Sequence, residues 1–157
     1  MRRTDREVRE QNDLTDILHK ADTCHLALLD GDKPYMIALN YGFVWTGTLP
    51  VLYFHCAKKG KKLDLVALNG TAFFMVDTDH RLVEGPADCD WGMDYASVAG
   101  EGIVSVVEDI AERKAGLDAI MRHYSGRTEF SYDERVFAMT TILRLTVTSL
   151  SGKRKSS

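Results

Sequence analysis

The chain has 157 residues, 45% of them hydrophobic, which suits one core of ordinary domain size. Its 20 basic and 23 acidic residues give a formal charge of −3 and exclude the broad basic face of a general nucleic-acid binder. No apolar run approaches the roughly 18 to 20 residues that span a bilayer, so the expectation is a soluble, cytoplasmic protein with neither membrane nor nucleic-acid partners.

Three cysteines, Cys24, Cys56 and Cys89, are an odd number without close spacing, which disfavours a disulfide framework and suits a reducing compartment. In chain order, Asn12 or Asp13 is placed to cap a short helix carrying Leu14, Ile17, Leu18 and Ala21 at helical spacing. Two strands follow, Cys24 to Leu29 and Tyr35 to Val44, around an Asp30-Gly31 turn. "VLYFHC" predicts a third strand, and Gly60 to Leu68 a helix with Leu63, Val66 and Ala67 on one face, closed by a left-handed cap at Asn69-Gly70.

"TAFFMVD" predicts a fourth strand. The polar segment Thr78 to Asp94 carries no regular pattern and is expected to lie over the surface. "YASVAGEGIVSVVED" predicts a fifth strand bent at Gly100 and Gly102, after which Asp109 caps a long helix with Ala115, Ile120 and Met121 inward. "TTILRLTVTSLSGK" closes the chain as a sixth strand. The expected fold is mainly β, a six-stranded antiparallel barrel with added helices, since closure removes exposed strand edges. Residues 1–152 form its single domain, and 153–157 a disordered basic tail.

The stretch "LYFHCAKKGKKLDLVALNG" joins a strand to a helix through Lys58, Lys59, Gly60, Lys61 and Lys62. Such a junction gathers ammonium groups, open backbone N–H groups and the positive end of a helix around one point, which attracts phosphate. The spacing is not that of a P-loop, so no nucleoside triphosphate is implied, and the same lysines also fit a solvated turn. Gly100-Glu101-Gly102 is no dinucleotide fingerprint, because no third glycine opens a helix after it. His25, Cys24, His80, Cys56 and Cys89 show no paired zinc-type spacing, so no metal is expected.

With "MRRTDREV", "CHLALLDGDKPYMIALNYGF", "GMDYASVAGEGIVSVVED" and "IMRHY", in this order and spacing, the chain resembles the pyridoxamine-phosphate-oxidase-like split-barrel flavoproteins, most closely their nitroimidazole-resistance group. The resemblance implies a homodimer with FMN at the subunit interface. It assigns Lys58, Lys59 and Lys61 to the flavin phosphate and sets the backbone of His55, Cys56 and Ala57 beside the cofactor. It runs Asn40, Tyr41 and Gly42 along the isoalloxazine ring, and brings Ser97 and Val98 to the flavin from the strand after the polar segment.

It further implies an oxidoreductase passing electrons from a nicotinamide or other donor to a small, flat acceptor such as a nitroaromatic compound. Histidine changes charge near neutral pH, so His55 in this setting donates a proton or orients the substrate, or else only hydrogen-bonds the flavin. A flavin carrier or redox sensor without turnover, and a haem-binding split barrel with a histidine ligand, remain as alternatives. Tyr41, Tyr95, Trp45 and Trp91 could stack on a flat ligand or fill core and interface, the stripe Ile120, Met121 and Tyr124 reads as core, and His123 as a surface or interface residue.

Overall fold

The computed structural model describes residues 3–157. Its helices α1 (Gln11–Lys20), α2 (Lys61–Leu68), α3 (Ile110–Ser125) and α4 (Glu134–Met139) surround strands β1 (Glu7–Val8), β2 (Cys24–Asp30), β3 (Lys33–Leu39), β4 (Tyr41–Thr46), β5 (Leu49–Ala57), β6 (Thr71–Val83), β7 (Gly92–Val106) and β8 (Thr140–Lys155). All strand pairs are antiparallel, and one sheet runs β3-β2-β6-β7-β8-β5-β4, with β1 added to β8.

The sheet has eight strands rather than six. One extra strand is the two-residue β1; the other arises because Asn40 interrupts the expected Tyr35 to Val44 strand, separating β3 from β4. The segment Thr78 to Asp94, expected to be irregular, extends β6 as far as Val83 and opens β7 at Gly92, and only the residues between, with a short 3-10 turn at Asp88–Asp90, lie outside strands. A bulge between Thr78 and Arg81, with Asp79 at φ 58°, broke the alternation that would have revealed it.

The expected disordered tail is also corrected. Lys153, Arg154 and Lys155 pair with Ser97, Ala96 and Tyr95, and Arg154 reaches Asp16 of α1 at 2.8 Å. The β8 ladder had room to continue because β1 and β7 flank it on both sides.

Two cores account for the packing. Inside the barrel, Leu26, Leu28, Leu52, Phe54, Phe74, Val76, Val98, Leu143 and Leu145 meet under α1, which contributes Leu14, Ile17 and Leu18. Outside it, α3 lays Ala119 and Ile120 against Val51, Tyr53 and Ile142. β5 is therefore covered on both faces, and its run from Pro50 to Phe54 is wholly buried. On α3, Ala115 and Met121 face solvent, contrary to expectation, while Gly116 takes the inward position beneath which Tyr53 lies. Tyr124, read as core, is exposed apart from its hydroxyl contacts.

Asp109 accepts from the Glu112 N–H at 2.8 Å, as expected. Neither Asn12 nor Asp13 caps α1, which starts earlier, after Glu10, with no side-chain cap. Asn69 ends α2 in extended backbone, not the left-handed region, and its side chain accepts from the Thr71 N–H at 3.0 Å.

Candidate functional site

The junction of β5 and α2 is held from both sides. Leu52 and Phe54 fix the strand to the barrel interior, and Leu65 and Val66 fix the helix. Between them Cys56 and Leu63 are only partly buried against the core, and His55, Ala57, Lys58, Lys59 and Gly60 are exposed. Gly60 has a φ of 141°, a conformation suited to glycine, and no side chain caps α2. The first N–H groups of the helix therefore stay available, in the arrangement that favours anions.

Among the described residues Lys58, Lys59 and Lys62 make no ion pair. Lys58 lines a cavity of about 260 Å³ with Val106, Val107, Glu108, Arg113, Thr140 and Thr141. Arg113 is already committed there, donating to the carbonyls of Phe137 at 3.0 Å and Thr140 at 2.7 Å. Lys61 is committed too, bonded to Asp30 and 5.1 Å from the Tyr35 ring centroid; the hydrogen bond to Asp30 raises its pKa. Cys56 packs against the barrel core, and burial pushes its thiol pKa up while the Lys62 charge opposes this.

The other expected site residues lie elsewhere. Asn40 is exposed at the β3 to β4 break. Tyr41 is fully buried: its hydroxyl donates to the Leu18 carbonyl at 2.6 Å, and its ring lies 4.6 Å from that of His123. Burial raises the phenol pKa. The ring is thus core and presents no face to a ligand. Gly42 is equally internal, because the backbone of Ala119 and Ile120 occupies the space its missing side chain would fill. His123, expected at the surface or an interface, is half-buried among Tyr41, Phe43 and Tyr124.

Val98 points into the barrel and Ser97 outward. Ser97 pairs with Lys153 of β8, whereas His55 pairs with Ile142, at the opposite end of that strand. Within one subunit, then, Ser97 and Val98 do not meet the β5 to α2 turn. Of the aromatic candidates, Trp45 donates its indole N–H to Thr15 at 2.8 Å and Trp91 is exposed. Among the described residues no group of three His, Cys, Asp or Glu side chains is placed to hold a metal ion, and no helix is long and apolar enough to cross a membrane.

A second concentration of positive charge, at Arg6, Lys153 and Lys155 around Tyr95, was legible only as a basic tail and a charged amino terminus. The signal that could have found it is the alternation of β8 past Gly152, which sets Lys153 and Lys155 on one face.

An antiparallel split barrel with a cationic strand-to-helix turn is the class that fold and site define together. Residues 10–154 match the family model described as pyridoxamine 5'-phosphate oxidase, and the chain belongs to that flavin-binding family. Among solved structures it is similar to a candidate 5-nitroimidazole antibiotic resistance protein from Bacteroides thetaiotaomicron. That pair shares 26% identity at a TM-score of 0.80, over 94% of this chain and 86% of the other. It is also similar to an FAD and heme binding protein from Mycobacterium smegmatis, at 22% identity and a TM-score of 0.82, over 97% and 74% of the two chains. An FAD-binding protein from Mesorhizobium loti, at 21% identity and a TM-score of 0.65, covers 96% of this chain and 98% of its own. Proteins of curated function give no match.

Proposed function

We propose that this protein is an FMN-dependent oxidoreductase that takes electrons from a nicotinamide or similar donor and passes them to a small, flat, electron-poor acceptor such as a nitroaromatic compound. The observation that carries the reading is the β5 to α2 turn, where Lys58, Lys59 and Lys62 lack carboxylate partners beside the uncapped start of α2. This donor set fits a phosphate monoester: ammonium groups supply charge and the first helix N–H groups supply direction. Lys61 joins only by releasing Asp30.

The flavin, when bound, supplies the electron transfer itself. Lys58 and Lys59 hold the phosphate end, and His55, exposed beside them on β5, holds or delivers a proton at its imidazole as the acceptor is reduced. The working unit is a homodimer, because Met36, Phe73, Met75 and Ile103 are exposed on one side of the sheet and a patch of this kind calls for a partner surface. Ser97 contributes from the partner subunit's copy of β7, with Val98 behind it in the barrel core.

The deciding experiment is an absorption spectrum of the purified protein with identification of any pigment released on denaturation. Released FMN supports the reading, FAD keeps the redox class but reassigns the cofactor, and a haem spectrum or failure to bind added FMN overturns it. With FMN established, replacing Lys58 and Lys59 together by Gln should weaken FMN at least about tenfold and riboflavin little, since only FMN carries the phosphate. Equal losses for both flavins remove the phosphate role.

A further inference from the structure

The outer face of the barrel at the end of β8 away from His55 carries, beside Ser97, a group of basic and aromatic residues that the flavin reading does not use. Ala96, Val98 and Gly152 are buried, so strand alternation sets Tyr95 and Ser97 of β7 outward beside Lys153 and Lys155 of β8. On the other flank Glu7 pairs with Lys153 and shares its face, and Arg6, the residue before it, comes near enough to Tyr95 to join Lys153 in lowering its pKa. The Lys153 ammonium lies 5.4 Å from the Tyr95 ring centroid.

Most carboxylates here are committed to other cations, Glu10 in the wall of the larger cavity excepted. Asp5 is taken by Arg3 at 2.6 Å, Glu7 by Arg9 at 2.6 Å, Asp16 by Arg154 at 2.8 Å and Asp94 by Arg81 at 2.6 Å. Among the described residues Lys153 and Lys155 make no ion pair, and Arg6 comes no nearer to a carboxylate than 3.9 Å, to Asp5. Space for a ligand adjoins Arg6 and Lys155, though Lys153 lines neither cavity. One cavity of about 710 Å³ includes Arg6 in its wall, a second of about 380 Å³ includes Tyr95, and Arg154, Lys155 and Ser156 line both. These are volumes for a small molecule.

We propose that Arg6, Tyr95 and Lys153 form an oxyanion-binding site that takes the phosphate or carboxylate group of a small molecule. A guanidinium, an ammonium and a phenol O–H are three donors with a net positive charge, the complement of an oxyanion. The narrow footprint and the interleaved acids disfavour a polyanion such as nucleic acid. The proximity of Lys153, and after it Arg6, holds the Tyr95 pKa below its ordinary value, so Tyr95 also reports on the site. An anion seated between the two cations offsets their pull and raises that pKa again. None of this requires a bound flavin.

The test titrates the purified protein with inorganic phosphate at constant ionic strength, against chloride, following heat release and the phenolate absorbance of Tyr95. Saturable binding is expected, with Tyr95 ionisation moved to higher pH. Lys153→Gln should weaken about tenfold the binding that moves Tyr95, Tyr95→Phe should abolish the optical change, and Lys114→Gln, which removes a charge on α3 remote from the site, should alter neither. Absence of saturable binding, or binding lost in Lys58→Gln and kept in Lys153→Gln, overturns the proposal. Competition by acetate extends the site to carboxylates. Displacement of phosphate by FMN, with none by riboflavin, identifies the oxyanion as the flavin's own tail; no displacement identifies a separate ligand. A failed flavin reading with intact phosphate binding leaves this site standing.

Discussion

Gly42 shows how one missing side chain sets a helix position. A Cβ at residue 42 would overlap backbone atoms of Ala119 and Ile120, and backbone cannot swing aside as a flexible side chain can. Gly42→Ala should therefore push α3 away from β4 and destabilise the protein by about 1 to 3 kcal/mol. Urea unfolding checks it; a loss under about 0.5 kcal/mol would mean that α3 adjusts freely. The same contact explains why a residue assigned to the flavin from resemblance is a packing position in this chain.

His123 makes the next argument at this scale. Its Nε2 lies 3.1 Å from the Ala21 carbonyl, so that nitrogen carries the proton of the neutral ring, while the buried Nδ1 has no partner to receive a second one. Burial pushes the pKa of His123 below the ordinary value; the Ala21 carbonyl opposes this, neighbouring His19 adds to it, and Asp22 opposes it. A folded pKa below the unfolded one means that the unfolded chain binds the proton more readily. The stability that follows is complete above the unfolded pKa of about 6.5 and is lost as pH falls from there through the folded pKa. Thermal melts should show wild type losing more stability than His123→Gln between neutral and mildly acidic pH. Parallel curves for the two proteins would count against this account.

At the scale of elements, the end of β8 is the instructive case. Removing residues 153–157 deletes the pairs Ser97 with Lys153, Ala96 with Arg154 and Tyr95 with Lys155, together with the Arg154 bonds to Asp13 and Asp16. The truncated chain should lose about 1 to 3 kcal/mol, since each net hydrogen bond contributes about 1 kcal/mol and exposed ion pairs less. An unchanged melting temperature would show these residues to be an ornament on the barrel. Sequence reading missed this strand end because "KRKSS" has the composition of a solvated tail, and only the flanking strands make it a ladder. It likewise missed α4, whose start is set by Asp133 accepting from Arg135 and Val136, because six residues offer too few turns for a periodic signal. Where apolar residues alternate or recur over a longer span, as in β2, β5, β7 and α3, type and position were legible. The lysine turn was legible too, from the Gly60 and lysine spacing, but the commitment of Lys61 to Asp30 was not, since it depends on a hairpin distant in sequence.

At the scale of the molecule, the candidate residues fall at two ends of β8. His55 and Lys58 lie near Ile142 and Thr141, whereas Ser97 pairs with Lys153. A single subunit cannot close these ends around one small ligand, but a two-fold axis perpendicular to β8 can, because it sets each end of one subunit against the other end of its partner. The exposed face between the ends, with Phe73 47% and Met75 41% exposed, is the surface for that contact in the proposed dimer. Phe73→Glu places a charge at the centre of this face, where burying it without a partner costs several kcal/mol, while leaving the barrel core untouched. Light scattering on the eluting protein should then report a monomer with an unchanged circular dichroism spectrum, and flavin affinity should fall with the dimer. A Phe73→Glu protein that stays dimeric would move the interface elsewhere, and a folded monomer that keeps its flavin would return the whole site to one subunit.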